Sequence, residues 1–141
     1  MGDISLHFSR HEFALPVDKA RAHGCDPAEY PAEWVDARLV PLCKALEVIR
    51  AEFGGKPIRI VSAYRPLAYN RAIGSEDDSQ HVVGRAADFQ IDGVAPKAIW
   101  DRMIALRHIG RLDIGGAGVY DTFCHVDVRG GSLHTWDERG K

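Results

Sequence analysis

The sequence predicts an α+β domain in which a small antiparallel sheet is packed against helices. Three observations predict it. Apolar residues recur at three- and four-residue steps over 39–53 and 96–106, the spacing of helices with one buried face. Short branched or alternating runs at 57–62, 86–91 and 123–129 read as strands. At 141 residues the chain amounts to one domain, spanning 1–141, that can bury about two thirds of its unfolded surface without disulfide staples.

The elements follow in order. Ser9-Arg10-His11-Glu12 is a capping box, with Ser9 at the N-cap and Glu12 three residues on, and Phe8 and Phe13 form its hydrophobic staple. Glu12 is therefore structural, and His7 and His11, lacking a partner at ligand spacing, are surface or capping residues. Between Pro16 and Pro41 little periodicity is sustained, so loop with short helical pieces is expected. Leu39, Leu42, Cys43, Leu46, Ile49 and Phe53 then mark a helix that ends at Gly54-Gly55. The strand at 57–62 runs into Tyr64-Arg65-Pro66, which leaves Arg65 at a strand end. A short helix over 68–73 stops at Gly74, and Ser75-Glu76-Asp77-Asp78 reads as a solvated loop.

Parity organises the second half. In 86–91, Ala86, Asp88 and Gln90 share one face, while Ala87, Phe89 and Ile91 share the other and face the core. Pro96 starts a helix whose Ile99, Trp100, Met103, Ile104 and Leu106 stripe is core, with Gly110 as its stop. Gly115-Gly116-Ala117-Gly118 lacks the Gly-Lys-Ser/Thr ending of a phosphate loop and precedes a strand, so a flexible turn is expected there. Gly118-Val119-Tyr120 and 123–129 form a hairpin through Asp121-Thr122. On its second strand Cys124, Val126 and Val128 are apolar-facing, whereas His125, Asp127 and Arg129 share the polar face.

Composition excludes several classes of function. The net charge is −2 and the charges are interspersed, so no nucleic-acid partner is expected. No window reaches the roughly 18 apolar residues of a membrane span, and residues 1–10 lack a basic region followed by an apolar one. The expectation is therefore a chain without a Sec-type signal, synthesised in the cytoplasm, and a monomer. Cys25, Cys43 and Cys124 form neither an even framework nor a Cys-x-x-Cys pair and read as packing residues.

The residues that carry chemistry are His81, Asp88 and His125. Two imidazoles and one carboxylate suit a catalytic zinc, because they leave a fourth position free for water. His81 and Asp88 stand seven apart with Gly84 between them, so one ligand can sit in a loop and the next on a strand. Cys124 lies on the wrong strand face to join His125. The competing reading is a hydrogen-bonded His–Asp pair without metal. His23, His108 and His134 lack this context and are surface residues.

Ser79-x-His81-x-x-Gly84-x-Ala86-x-Asp88, followed by Phe123-Cys124-His125-Val126-Asp127-Val128-Arg129 and Trp136, resembles the zinc D-alanyl-D-alanine carboxypeptidase and endolysin family of metallopeptidases. Leu6-x-Phe8-Ser9-x-x-Glu12-Phe13, Ile60-Val61-Ser62-Ala63-Tyr64-Arg65 and Asn70 extend the likeness to its compact single-domain members, over nearly the whole chain. The resemblance implies a hedgehog/D-Ala-D-Ala peptidase-like fold whose sheet carries one Zn2+ on His81, Asp88 and His125. It implies hydrolysis of a peptide bond beside a D-amino acid in peptidoglycan stem peptides, by a carboxypeptidase or endopeptidase that acts on the cell wall or periplasm; host origin and phage or prophage origin both stay open.

Related enzymes place an acid three residues before the last histidine ligand, where this chain has Thr122. The general base is therefore expected at Asp127, on the strand face of His125, or at Asp121 in the turn; Asp127 has the alternative part of orienting a ligand. Arg65 resembles the arginine that stabilises the oxyanion or holds substrate in related dipeptidases, and Ser79 is a candidate substrate-binding residue. The departure at Thr122 also admits a metal-containing, non-catalytic wall-binding or virion structural module of the same fold.

Overall fold

The computed structural model describes residues 2–141, and Met1, the first residue of the expected domain, lies outside the described residues. Five strands, β1 (Ile58–Ser62), β2 (Ala86–Ile91), β3 (Gly116–Val119), β4 (Cys124–Asp127) and β5 (His134–Asp137), form one sheet in the order β1-β2-β4-β3-β5. Four α-helices accompany it: α1 (Val17–Ala22), α2 (Val40–Glu52), α3 (Leu67–Ala72) and α4 (Pro96–His108). The fold is α+β, as the periodicities require.

The four strands β1, β2, β4 and β3 are joined antiparallel. β5 then adds to β3 in parallel, so the sheet is mixed. No pattern announces β5, because His134 and Thr135 are exposed and Trp136 and Asp137 only half-buried. Its strand conformation is imposed by the free edge of β3.

The glycine run corrects an expectation. Gly116-Ala117-Gly118 is not a flexible turn but an inner strand, buried throughout, between β4 and β5. A Cβ on Gly116 would run into the Asp127 carboxylate, and one on Gly118 into the Trp136 indole. These glycines are there for close approach rather than for flexibility.

Other elements follow from local chemistry. The N-terminal box forms, with the Ser9 N–H donating to Glu12 Oε2 at 2.7 Å, but it heads a single 3-10 turn, Arg10–Phe13. The chain is drawn into extended backbone there because Leu15 pairs with Ala28. Phe8 and Phe13 are both buried and meet edge to face at 6.2 Å. The stretch before α2 holds α1, a 3-10 turn (Ala32–Trp34) and a wide turn (Val35–Leu39). Pro41 stands in the first turn of α2, where a missing N–H costs nothing.

One core joins the helices to one face of the sheet. Leu42, Leu46 and Ile49 of α2, Phe89 of β2, Ile99 and Met103 of α4, and Cys124 and Val126 of β4 are fully buried in it. Trp100 and Ile104 are only partly buried, so the α4 stripe is narrower than its sequence suggests. The opposite parity set, Asp88, His125, Asp127 and Gly118, occupies the other face, with Asp88 and Gly118 each directly across from His125.

Candidate metal centre

Asp88 and His125 are brought together by strand register. His81 arrives from the loop before β2, which turns at Gly84 with φ +71°. Tyr30 fixes that turn by donating its hydroxyl to the Gly84 carbonyl at 2.6 Å, and a side chain at Gly84 would collide with Tyr30 and Trp34. The result is three buried side chains whose ligand atoms lie within 4.8 Å of one another. His81 Nε2 and His125 Nδ1 each stand 3.1 Å from Asp88 Oδ1.

The outer nitrogens decide what faces inward. His81 Nδ1 lies 2.7 Å from the Ala63 carbonyl, which only accepts, so Nδ1 carries the proton and Nε2 of the neutral ring is a bare lone pair. His125 Nε2 lies 2.7 Å from Asp127 Oδ2, so this nitrogen donates and Nδ1 faces Asp88. The His81 Nε2 lone pair and His125 Nδ1 converge on one carboxylate oxygen, an arrangement that a cation between them, a proton on His125 Nδ1 or a metal, stabilises. The donor set therefore fits a divalent metal with borderline preferences, zinc above all, and the tied outer nitrogens are the arrangement that fixes histidine ligands.

Charge is distributed to match. Burial pushes the His81 pKa down and outweighs the pull of Asp88, which keeps that ring neutral. Burial also opposes the charged form of Asp88, but the two imidazoles overcome it and hold this carboxyl below its ordinary range. For His125 burial is outweighed by hydrogen bonds to Asp127 and Asp88, which raise its pKa. Asp127 is likewise opposed by burial, yet Arg129 and His125 hold it ionised, below the usual carboxylate range.

Arg65 follows β1, where a register shift between Ile60 and Ser62 sets Ser62 opposite Asp88. Its Nη2 donates to Asp88 Oδ2 at 2.9 Å and its Nε to Ser62 Oγ at 3.0 Å. A cleft of about 420 Å³ opens over the three candidate ligands, and Arg65 and Ser79 line it. Ser79 Oγ also accepts the His81 backbone N–H at 3.3 Å. A groove of similar size, about 480 Å³, between Pro41, Lys44 and Arg111 contains no histidine or cysteine.

Neither expected base reaches the cleft. Asp127 is fully buried behind His125; Oδ2 is taken by His125 and by Arg129 Nη2 at 2.6 Å, and Oδ1 by Arg129 Nε at 2.8 Å. Sharing a strand face with His125 put it on the ring's far nitrogen rather than in front of it. Asp121 is exposed in the β3–β4 turn and accepts the Gly140 N–H at 2.9 Å. The acidic residues that line the cleft, besides Asp88, are Glu76 and Asp78, both exposed, from the loop read as solvated surface. A signal for it was present in Asn70, which is fully buried and donates to the Glu76 carbonyl at 2.6 Å, anchoring the loop just before Ser79. Gln80, Tyr120, Arg129 and Trp136 are also in the wall.

A family model described as Peptidase M15 matches residues 6–127. The chain belongs to the Peptidase M15 family. The match takes in all three candidate ligands and ends before β5. This Peptidase M15 chain is 30% identical over 91 residues to the zinc D-Ala-D-Ala carboxypeptidase of Streptomyces albus G, covering 64% of this chain and 34% of that protein. It is 33% identical over 80 residues to the peptidoglycan L,D-endopeptidase MepK of Escherichia coli K12, covering 52% of this chain and 41% of that one. The match thus spans well under half the length of either relative.

Proposed function

We propose that this Peptidase M15 chain is a single-zinc hydrolase that cleaves a peptide bond beside a D-amino acid in peptidoglycan stem peptides, acting in the cell wall or periplasm as a carboxypeptidase or endopeptidase. The observation that carries the reading is the pair of histidines whose outer nitrogens are tied to Ala63 and Asp127, turning both inner nitrogens onto one Asp88 oxygen at the floor of a cleft. The two relatives, a D-Ala-D-Ala carboxypeptidase and a peptidoglycan endopeptidase, support the substrate class.

His81, Asp88 and His125 would hold the zinc ion, which when bound would acidify water toward a pKa of ~7 and polarise the scissile carbonyl. The protein's own groups do the rest. Arg65, fixed by Asp88 and Ser62, has further N–H groups to hold a terminal carboxylate or a developing oxyanion. Gln80 Oε1 is buried with no partner among the described residues and is suited to accept a substrate N–H. Asp127 acts as a positioning residue for His125. We assign proton transfer to the Glu76–Asp78 loop: a carboxylate oxygen takes the proton of the attacking water and returns it to the leaving amine nitrogen as the C–N bond breaks.

Metal content by mass spectrometry and product analysis on purified muropeptides test the proposal. Zinc near one per chain with chelator-sensitive cleavage is expected; full activity in His81→Ala, or after chelation, refutes it. A second reading, a metal-containing wall-binding module without turnover, is favoured by Thr122 standing where related enzymes carry an acid. Tight muropeptide binding without product decides for it.

A further inference from the structure

Tyr120 stands on the site face of the sheet, two residues beyond Gly118 at the end of β3, and lines the cleft with His81, Asp88 and His125. Its ring stacks on Phe123 at 4.4 Å, 11° from parallel, which fixes the phenol plane. Trp136 Nε1 lies 3.0 Å from the Tyr120 hydroxyl. An indole N–H only donates, so the tyrosine oxygen is the acceptor in this bond. The hydroxyl proton has no acceptor among the described residues, and it belongs to an oxygen in the wall of the cleft.

The indole itself is placed with care. It lies against the His125 ring at 4.9 Å and occupies the space that the missing Gly118 side chain leaves, with the Arg129 guanidinium 5.7 Å from its centre. One flat ring therefore separates a metal-ligating imidazole from a phenol whose donor direction is set.

We propose that Tyr120 is a catalytic residue that donates its hydroxyl hydrogen bond to the scissile carbonyl oxygen as that oxygen gains negative charge, and that Trp136 is the positioning residue that aims it. Arg65 approaches the site from the Asp88 side and Tyr120 from the His125 side, so the two donors bracket the carbonyl. Burial, the largest influence, raises the phenol pKa, which leaves Tyr120 a protonated donor at neutral pH and no base. The inference rests on the peptidase reading above and adds a residue to it.

The test uses the full chain loaded with zinc, with Tyr120→Phe, Trp136→Phe and the double variant. Tyr120→Phe removes one oxygen and keeps the stack on Phe123. It is expected to lower kcat about 100-fold, the scale of one lost oxyanion donor, with KM within about twofold and zinc content and Tm unchanged. Trp136→Phe keeps a ring against His125 and should lower kcat by roughly 3- to 10-fold, an effect that vanishes in the Tyr120→Phe background because both act through one hydrogen bond. Calorimetry with a phosphinate dipeptide, a tetrahedral analogue, gives a readout apart from turnover. Tyr120→Phe should weaken its binding by about the same factor as kcat.

Wild-type kcat and wild-type phosphinate affinity in Tyr120→Phe overturn the assignment while leaving the peptidase reading intact. Zinc-loaded wild type that cleaves no muropeptide overturns both. Should Tyr120→Phe fail to fold, unchanged kcat in Trp136→Phe overturns the aiming of Tyr120 and the proposal with it.

Discussion

Replacing Asp127 by Asn separates the two parts an acid beside His125 can play. The side chain keeps its shape but loses its charge, and it changes what His125 sees. Asp127 accepts from His125 Nε2 at 2.7 Å and from Arg129 at 2.6 and 2.8 Å. An amide has one accepting oxygen, and the Oδ1 position faces two Arg129 donors, Nε and the backbone N–H. Arg129 is donor-only, so the oxygen goes there and the NH2 turns to His125, which must accept on Nε2 and carry its proton on Nδ1. That is the nitrogen meant for the metal. Losing an orienting partner of this kind costs about 10- to 100-fold in zinc affinity, roughly 1.4–2.7 kcal/mol. Breaking a fully buried ion pair costs roughly 3–5 kcal/mol of stability, but Arg129 is 27% exposed, so about 1–3 kcal/mol is expected here. Competition against a chromophoric chelator measures the first quantity and urea unfolding of the metal-free protein the second. Wild-type zinc affinity combined with a kcat reduced by orders of magnitude would refute the orienting role and make Asp127 the proton acceptor.

Three further outcomes are expected. Glu76→Gln and Asp78→Asn are compared at full zinc loading: the variant that removes the base should lose about 10²- to 10⁴-fold in kcat, and near-wild-type turnover in both takes proton transfer away from this loop. Gly118→Ala drives a methyl into the Trp136 indole and should cost about 1–3 kcal/mol by urea unfolding, the range for overpacking; Gly130→Ala, which meets nothing, should stay within about 0.5 kcal/mol. Equal stability of the two would show that the indole yields. Because the folded state holds the Asp127 carboxyl below its ordinary range, the native state binds fewer protons there. This stabilisation is present above about pH 4 and is lost as pH falls toward the lower folded value. Denaturant midpoints of the metal-free protein should drop on acidification over roughly pH 5 to 2, and Asp127→Asn should flatten the drop; an unchanged slope counts against Asp127 as its source.

How much of this was legible depended on how local each feature is. α2 and α4 carry their period within 13 consecutive residues each, with a glycine shortly beyond the end, and β2 carries its two faces in six residues. The parity that set Cys124 among core residues and His125 on the opposite face needed no partner strand. β5 was invisible because His134-Thr135-Trp136-Asp137 has no apolar face of its own and is a strand only through pairing with β3. The glycine run read as a loop because glycine signals both freedom and close approach, and only the carboxylate and indole lying over it tell the two apart.

The candidate site divides along the same line. Residue type and spacing were enough to select His81, Asp88 and His125, since ligand chemistry is a property of the side chains and the loop-then-strand return is a property of Gly84. Where the acids stand was decided by distance across the fold. Asp127, two residues from His125, lies behind the imidazole because side chains of one strand face stand beside each other rather than opposite. Glu76 and Asp78, roughly fifty positions earlier, reach the cleft because buried Asn70 ties their loop down. What a residue can bind follows from its chemistry; which atom it meets is fixed only when register, turn and core packing have placed its neighbours.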